Sequence, residues 1–326
     1  MRAVLCNEWG EPETLTLGEA PVPVAGPGEV TLRVRAAGVN FADIVLVRGQ
    51  YQEKPAFPFS PGLEAAGEIL TIGEGVTGIA PGDRVMTVPG VGAFAEQVTA
   101  KASDVFPIPA GMDFVTAAAF PVAYGTSHLA LTERAKMTAG ETLLVLGAGG
   151  GVGLTAVECG KAMGATVIAA ASSAEKLDLA IAHGADHRIN YVDDDLRAAV
   201  RTLTDGRGVD VVYDPVGGEV SKAALRSLAW CGRLLVIGFA AGEVPQIPAN
   251  YLLVKNISAV GVYWGAYKTK EPDKYRATFD ELATWYAAGH LKPHVSQVFP
   301  LAQVPQALTV LDSRQATGRL VIDIDG

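Results

Sequence analysis

The hydrophobic pattern changes twice along the chain. From about residue 140 to about residue 240, short apolar runs alternate with longer amphipathic stretches. Leu143-Leu144-Val145-Leu146, Val167-Ile168-Ala169-Ala170-Ala171, Val209-Asp210-Val211-Val212-Tyr213 and Leu234-Leu235-Val236 are too short for helices. They are also nearly unbroken, as strands covered on both faces are. The stretches 151–163, 175–183, 194–203 and 218–228 carry apolar residues at helical spacing. This alternation predicts a doubly wound parallel sheet with strands at 142–146, 166–171, 209–213 and 233–237, and a last one over 252–261.

Residues 1–110 follow the two-residue period of half-buried strands. Runs at 30–35, 64–72, 83–88 and 94–98 lie between turn pairs such as Pro27-Gly28, Pro61-Gly62 and Pro81-Gly82. Asn40 to Val47 reads as a brief helix ended by Gly49, and the helical period returns from Asp113 to Leu131. The tail predicts helices at 273–288 and 304–311 and strands at 295–299 and 319–324. The simplest α/β arrangement splits a β-rich catalytic domain into 1–120 and 262–326, with a dinucleotide-binding domain, 121–261, inserted between the pieces.

A glycine cluster, Gly147-Ala148-Gly149-Gly150-Gly151-Val152-Gly153, joins the first strand of the alternating region to its first helix. Strand, glycine turn and helix N-terminus suit a dinucleotide, because free backbone N–H groups and the helix dipole receive a pyrophosphate. No frame gives a strict G-x-G-x-x-G. The frame ending on Gly153 reads Ala148-x-Gly150-x-x-Gly153, in which Gly150 lets the backbone approach phosphates and Gly153 lets the helix pack closely on the strand. No Gly-Lys-Ser/Thr follows, which excludes a Walker loop. Roughly 20 residues on, where NAD sites place a carboxylate, stand Ser172 and Ser173, with Lys176 one turn beyond. Hydroxyls and a lysine favour a 2′-phosphate, so NADPH is the expected cofactor; the bland alternative makes Lys176 a solvated helix lysine beside Glu175.

Composition narrows the picture. The 326 residues are 49% hydrophobic and 19% charged, enough for two globular domains. A net charge of -9 argues against nucleic acid or an anionic membrane as the main partner. Cys6, Cys159 and Cys231 form neither a disulfide framework nor a metal knuckle, as in a reducing compartment. The N-terminus turns polar too soon for a signal peptide and no apolar run spans a bilayer, so a cytoplasmic protein is expected. His183/His187 and His290/His294 have helical spacing, but Gly184 and Pro293 interrupt them and they read as solvated loop histidines.

Motifs spread through the chain resemble the medium-chain dehydrogenase/reductase superfamily, and within it the zinc-free NADPH:quinone oxidoreductase (zeta-crystallin-like) branch. They include Ala37-Gly38-Val39-Asn40-Phe41-Ala42-Asp43, Pro61-Gly62-Leu63-Glu64-Ala65-Ala66-Gly67, Gly82-Asp83-Arg84-Val85, Gly150-Gly151-Val152-Gly153, Val209 to Asp214 and Ala316-Thr317-Gly318-Arg319. The resemblance implies a GroES-like catalytic domain and a Rossmann dinucleotide domain. Zinc alcohol dehydrogenases carry Cys and His where this chain has Asn40 and Leu63, and the four-Cys structural loop is missing. No metal is therefore expected.

Without a Lewis acid, hydride transfer needs an acceptor that is already electrophilic: a quinone, or an alkene conjugated to a carbonyl. The resemblance implies that Asn40 and Tyr51 line the acceptor site and that Asp43 orients; spacing alone reads Asn40 as a helix cap and Asp43 as a first-turn acid. Val45 stands where related quinone reductases often carry a second Tyr. The resemblance also implies Thr126 near the nicotinamide and Tyr191 by the adenosine. Gly238 and Phe239 would close the cofactor site, with Arg319 reaching it from the last strand. Tyr263 and Trp264, in an aromatic run, either roof an acceptor pocket or bury themselves at a subunit contact. A homodimer through the 255–262 edge is implied as well. Two alternatives stay open: a reductase of acrylate or enoyl-thioester double bonds, and a non-catalytic NADPH-binding structural protein.

Overall fold

The computed structural model describes all residues, Met1–Gly326. They form two compact units, 1–122 with 293–326, and 123–292.

The first unit begins with β1 (Arg2–Leu5) and β2 (Thr16–Glu19), an antiparallel pair. Next come β3 (Glu29–Val39), α1 (Phe41–Val47), β4 (Glu64–Ile72), β5 (Arg84–Thr87), β6 (Gln97–Lys101), β7 (Val105–Pro107) and α2 (Phe114–Ala118). β3 is the hub: β4 and β6 both pair with it antiparallel, at different stretches of its length. Its inward positions, Val30, Leu32 and Val34, join Ile44, Leu46, Ile69, Phe94 and residues of the C-terminal strand in one core. The short α1 ends as its sequence predicts: Arg48 is the last helical turn and Gly49 takes φ +67, a left-handed geometry that glycine adopts without strain.

The second unit starts within α3 (Pro121–Leu129) and continues through β8 (Thr142–Leu146), α4 (Gly151–Ala162), β9 (Thr166–Ala171), α5 (Ala174–Ala182), β10 (His187–Asn190) and α6 (Leu196–Leu203). It ends with β11 (Val209–Asp214), α7 (Gly218–Arg226), β12 (Leu228–Val236), α8 (Ala249–Lys255), β13 (Ser258–Gly261), α9 (Tyr267–Lys270) and α10 (Pro272–Ala287). The chain then returns to the first unit as β14 (Val295–Pro300), α11 (Val304–Asp312) and β15 (Arg319–Asp323). β15 pairs antiparallel with β3 and parallel with β14.

Six parallel strands run in the order β10-β9-β8-β11-β12-β13, so the strand direction of winding reverses between β8 and β11. That is the Rossmann order, in which ligands bind beyond the carboxyl ends of the strands near the reversal. Gly153 shows why the turn after β8 needs glycine: a Cβ there would sit 2.1 Å from the Gly147 carbonyl oxygen, inside contact distance.

Three features differ from expectation. Residues 262–292, assigned above to the catalytic domain, belong to the nucleotide unit. Trp264 fixes them there by packing against Tyr275 and Phe279 of α10 and over Gly125 of α3, whose missing side chain leaves room for the indole. The stretch 252–261 is not one strand: α8 runs to Lys255, and Asn256, left-handed at φ +53, ends it before β13. β10 was not expected at all; four residues with only Ile189 buried give too little pattern to read.

Candidate active site

In the sheet unit the polar residues of α1 and its neighbours are buried together. Asn40 precedes α1 in extended geometry, and its backbone N–H donates to Asp43 Oδ2 at 2.8 Å, one half of a capping box. The Asn40 side chain turns away from the helix. Its Nδ2 donates to Glu64 Oε1 at 2.9 Å, and its Oδ1 accepts from Arg319 Nη1 at 3.0 Å. Arg319 Nη2 also donates to Glu64 Oε1, and the Val122 N–H supplies Glu64 Oε2 at 2.7 Å. Glu64 enters from β4, Arg319 from β15, and both lie against β3, where Gly38 leaves space for the carboxylate.

The electrostatics follow from burial. Asp43 and Glu64 are fully buried, and Arg319 is 6% exposed. Two carboxyl groups thus share one cation out of water, a costly arrangement unless one of them holds a proton. Burial pushes Asp43 up to about 7, with the Glu64 charge adding to it; the Asn40 N–H and the Arg319 charge oppose. Burial also raises Glu64, while Arg319 pulls it back. Asp43 Oδ1 and Arg319 Nε have no hydrogen-bond partner.

Sequence reading found Asn40 and Asp43 but not Glu64, and it gave Arg319 to the cofactor. Here Arg319 serves Asn40 and Glu64 instead. Tyr51, half-buried, packs against the core of the same unit.

The nucleotide unit holds the glycine turn. Gly150 is the N-cap of α4 and no side chain caps it, so no side chain takes up the first-turn N–H groups at Gly151, Val152 and Gly153. A Cβ on Gly150 would meet only the Gly147 oxygen, at 3.4 Å, which leaves its outer face open. Ala148 is buried and its N–H bonds to the Ala170 carbonyl, tying the turn to β9. Ser172 is exposed and Ser173 caps α5 through the Lys176 N–H. Lys176 reaches the turn itself: a Cβ on Gly149 would lie 2.5 Å from its Cβ, so its stem is seated on that glycine. This proximity separates it from an ordinary helix lysine.

Thr126 lies in α3 and Tyr191 follows β10, half-buried against the sheet core. Gly238 and Phe239 follow β12, and the Asp214 carbonyl accepts the Gly238 N–H at 3.3 Å. Ser127, beside Thr126, bonds Thr155 of α4 at 2.8 Å and the buried Tyr213 hydroxyl of β11 at 3.0 Å. α3 is thereby locked to the first turns of α4. Trp264 is a core residue of its own unit, not the roof of a pocket or a subunit contact, whereas Tyr263 is 42% exposed. His183 is no solvated loop residue either: its Nδ1 lies 2.5 Å from the buried Glu158, which also accepts from the Tyr124 hydroxyl.

The two units answer two fit questions. A zinc ion wants several N or S donors around an open position. Asn40 offers an amide already engaged by a guanidinium and Leu63 offers none, so the residues do not fit zinc. A dinucleotide phosphate does fit the open face of Gly150 and the uncapped end of α4.

Residues 26–110 match the family model of the alcohol dehydrogenase GroES-like domain, and residues 151–284 that of the zinc-binding dehydrogenase. Quinone oxidoreductase-like protein 2 of Mus musculus is 42% identical over 325 residues, covering 99% of this chain and 92% of the mouse protein. The crystal structure of Escherichia coli quinone oxidoreductase complexed with NADPH is 29% identical and superposes with a TM-score of 0.92, covering 99% of this chain and 100% of that one. A mycobacterial protein complexed with NADPH is 32% identical with a TM-score of 0.93, at the same coverage.

Proposed function

The chain belongs to the quinone oxidoreductase-like branch of the medium-chain dehydrogenase/reductase superfamily, and from that premise we propose that it reduces quinones and other conjugated carbonyl acceptors with NADPH, without zinc. The observation that carries the acceptor class is the Asn40 carboxamide, held between Glu64 and Arg319 where a zinc ligand would have to stand. A carboxamide donates a hydrogen bond but does not polarise a ketone as a metal does. The acceptor must bring its own electrophilicity.

When bound, NADPH supplies the hydride; the acceptor takes that hydride and one proton. The glycine turn and the N-terminus of α4 would hold the pyrophosphate, and Lys176 with Ser172 and Ser173 would meet the 2′-phosphate. Thr126 would meet the nicotinamide end, and Tyr191, Gly238 and Phe239 would border the cofactor. In the sheet unit Asn40 donates to the acceptor oxygen as negative charge gathers there, a contribution of about 2.7–4 kcal/mol for a well-placed donor. Asp43 fixes the Asn40 backbone, and Tyr51 adds a hydroxyl. Solvent returns the proton.

The relatives' names and their NADPH complexes support the cofactor. The test is NADPH oxidation at 340 nm with 1,4-benzoquinone, an acrylate and an enoyl thioester. The quinone should turn over fastest. Preference for the thioester would move the function to double-bond reduction, and tight NADPH binding with no oxidation by any acceptor would leave a binding protein.

A further inference from the structure

Asn40 is tethered more completely than a single donor needs. Its main-chain N–H goes to Asp43, its side-chain carbonyl to Arg319 and one of its two side-chain N–H groups to Glu64. An amide can sit either way round, and the neighbours decide which. Glu64, with both oxygens engaged, faces the nitrogen and, when ionised, only accepts; the Arg319 guanidinium faces the oxygen and only donates. Turned over, the amide would set donor against donor and acceptor against acceptor in a site where Glu64 is 0% and Arg319 6% exposed. Only one orientation is satisfied, and it leaves one N–H unspent.

We propose that Glu64 and Arg319 are positioning residues that fix the polarity of the Asn40 carboxamide, so that its remaining N–H is the donor to the acceptor oxygen. This rests on the reading of Asn40 given above and adds to it the pair that makes the donor permanent. The pair is built in from three strands. Glu64 comes from β4 and Arg319 from β15, and on β3 a Cβ at Gly38 would lie 2.3 Å from Glu64 Oε1, so that position admits the carboxylate only as glycine.

Glu64→Gln is the direct test, because its amide carries a donor where Glu64 has only acceptors, and that donor must face either the Val122 N–H or Asn40 and Arg319. Removing the Glu64 charge also removes one of the influences that raise Asp43, the carboxyl group then left to face Arg319. The expected result is a kcat lowered about 10–100-fold, the range for losing a positioning contact, with KM for NADPH within about twofold of wild type. The loss should be larger for weakly electrophilic enones than for 1,4-benzoquinone, since a donor matters most where charge is hardest to place. A uniform loss across acceptors, or none, overturns the proposal.

Arg319→Lys and Arg319→Gln repeat the test from the other side. Lysine keeps a donor-only cation and should keep the wild-type ranking of acceptors, whereas glutamine should reproduce the Glu64→Gln pattern; equal behaviour of the two overturns the proposal. One readout needs no turnover. In wild type and Arg319→Lys the Asn40 side-chain N–H held by Glu64 should exchange with solvent far more slowly than the other N–H, and Glu64→Gln should erase that difference. Equal exchange of the two protons in wild type would overturn the positioning role even if every acceptor is reduced. Inactivity of wild type with all acceptors, beside that difference in exchange, would instead remove the reductase reading.

Discussion

Lys176 is the residue on which cofactor choice turns. Its stem lies on Gly149, inside the phosphate turn, and its α5 is capped by Ser173. Lys176→Ala should raise KM for NADPH at least about tenfold, the cost of one charge-assisted contact, and leave KM for NADH nearly unchanged. Equal effects on both would remove the 2′-phosphate assignment. Asp43 makes a second prediction, through pH. Its folded pKa of about 7 exceeds the roughly 3.9 of a free aspartate. Between those values the folded chain holds a proton that the unfolded chain has released. Stability from this group is therefore full below about pH 4 and is lost as pH rises through 7, at about 1.4 kcal/mol per pH unit where the difference is a whole proton. Asp43→Asn still accepts the Asn40 N–H but does not titrate. Its melting temperature relative to wild type should climb from about pH 5 to about pH 8; a constant offset would contradict the burial argument. The local pairing of Asn40 with Asp43 was legible because three-residue spacing at a helix start has a local meaning, whereas their place at an acceptor came only from the family resemblance. Glu64 was not, although it opens the otherwise apolar run Glu64-Ala65-Ala66-Gly67, and a charge there demands a distant cation. Its partner Arg319 lies 255 residues away, beyond any local pattern.

Among elements, the long strands and their helices were plain, since the sheet of the nucleotide unit is covered on both faces and its strands are unbroken apolar runs. The run 262–265 was ambiguous for the opposite reason. Aromatic residues serve a core and a ligand pocket equally well, and only the placement of α10 decides. Trp264 lies 5.4 Å from Tyr275 and covers Gly125, so it belongs to the packing that joins α10 to α3. Trp264→Ala should cost about 3–5 kcal/mol of stability, as large aromatic truncations do, and leave the acceptor KM of the surviving folded protein unchanged. A KM change without a stability loss would return the indole to the acceptor. His183 was misread in a related way, because its partner Glu158 sits a helix away and no spacing rule joins them.

For the molecule as a whole, no helix is long and apolar enough to cross a membrane, and the net charge of -9 fits small-molecule chemistry better than polyanion binding. We propose a homodimer through β13, which pairs with β12 on one side only, and beside which Leu253 and Val254 are 80% and 67% exposed. Sedimentation equilibrium should give twice the 33.9 kDa chain mass, and Leu253→Asp should halve it; a monomeric wild type would remove the proposal. The division into units was half legible. Both insertion points follow from a change of period, but the second was placed at 262 although the unit runs to Lys292, because a helix such as α10 carries no mark of which sheet it will cover. The central claim is that hydride passes from NADPH to an acceptor reactive enough to need no Lewis acid. Its most direct test is the rate of NADPH oxidation by 1,4-benzoquinone after exhaustive dialysis against a strong chelator. The rate should equal that of untreated protein and be indifferent to added zinc; a rate lost on dialysis and restored by zinc alone would contradict it.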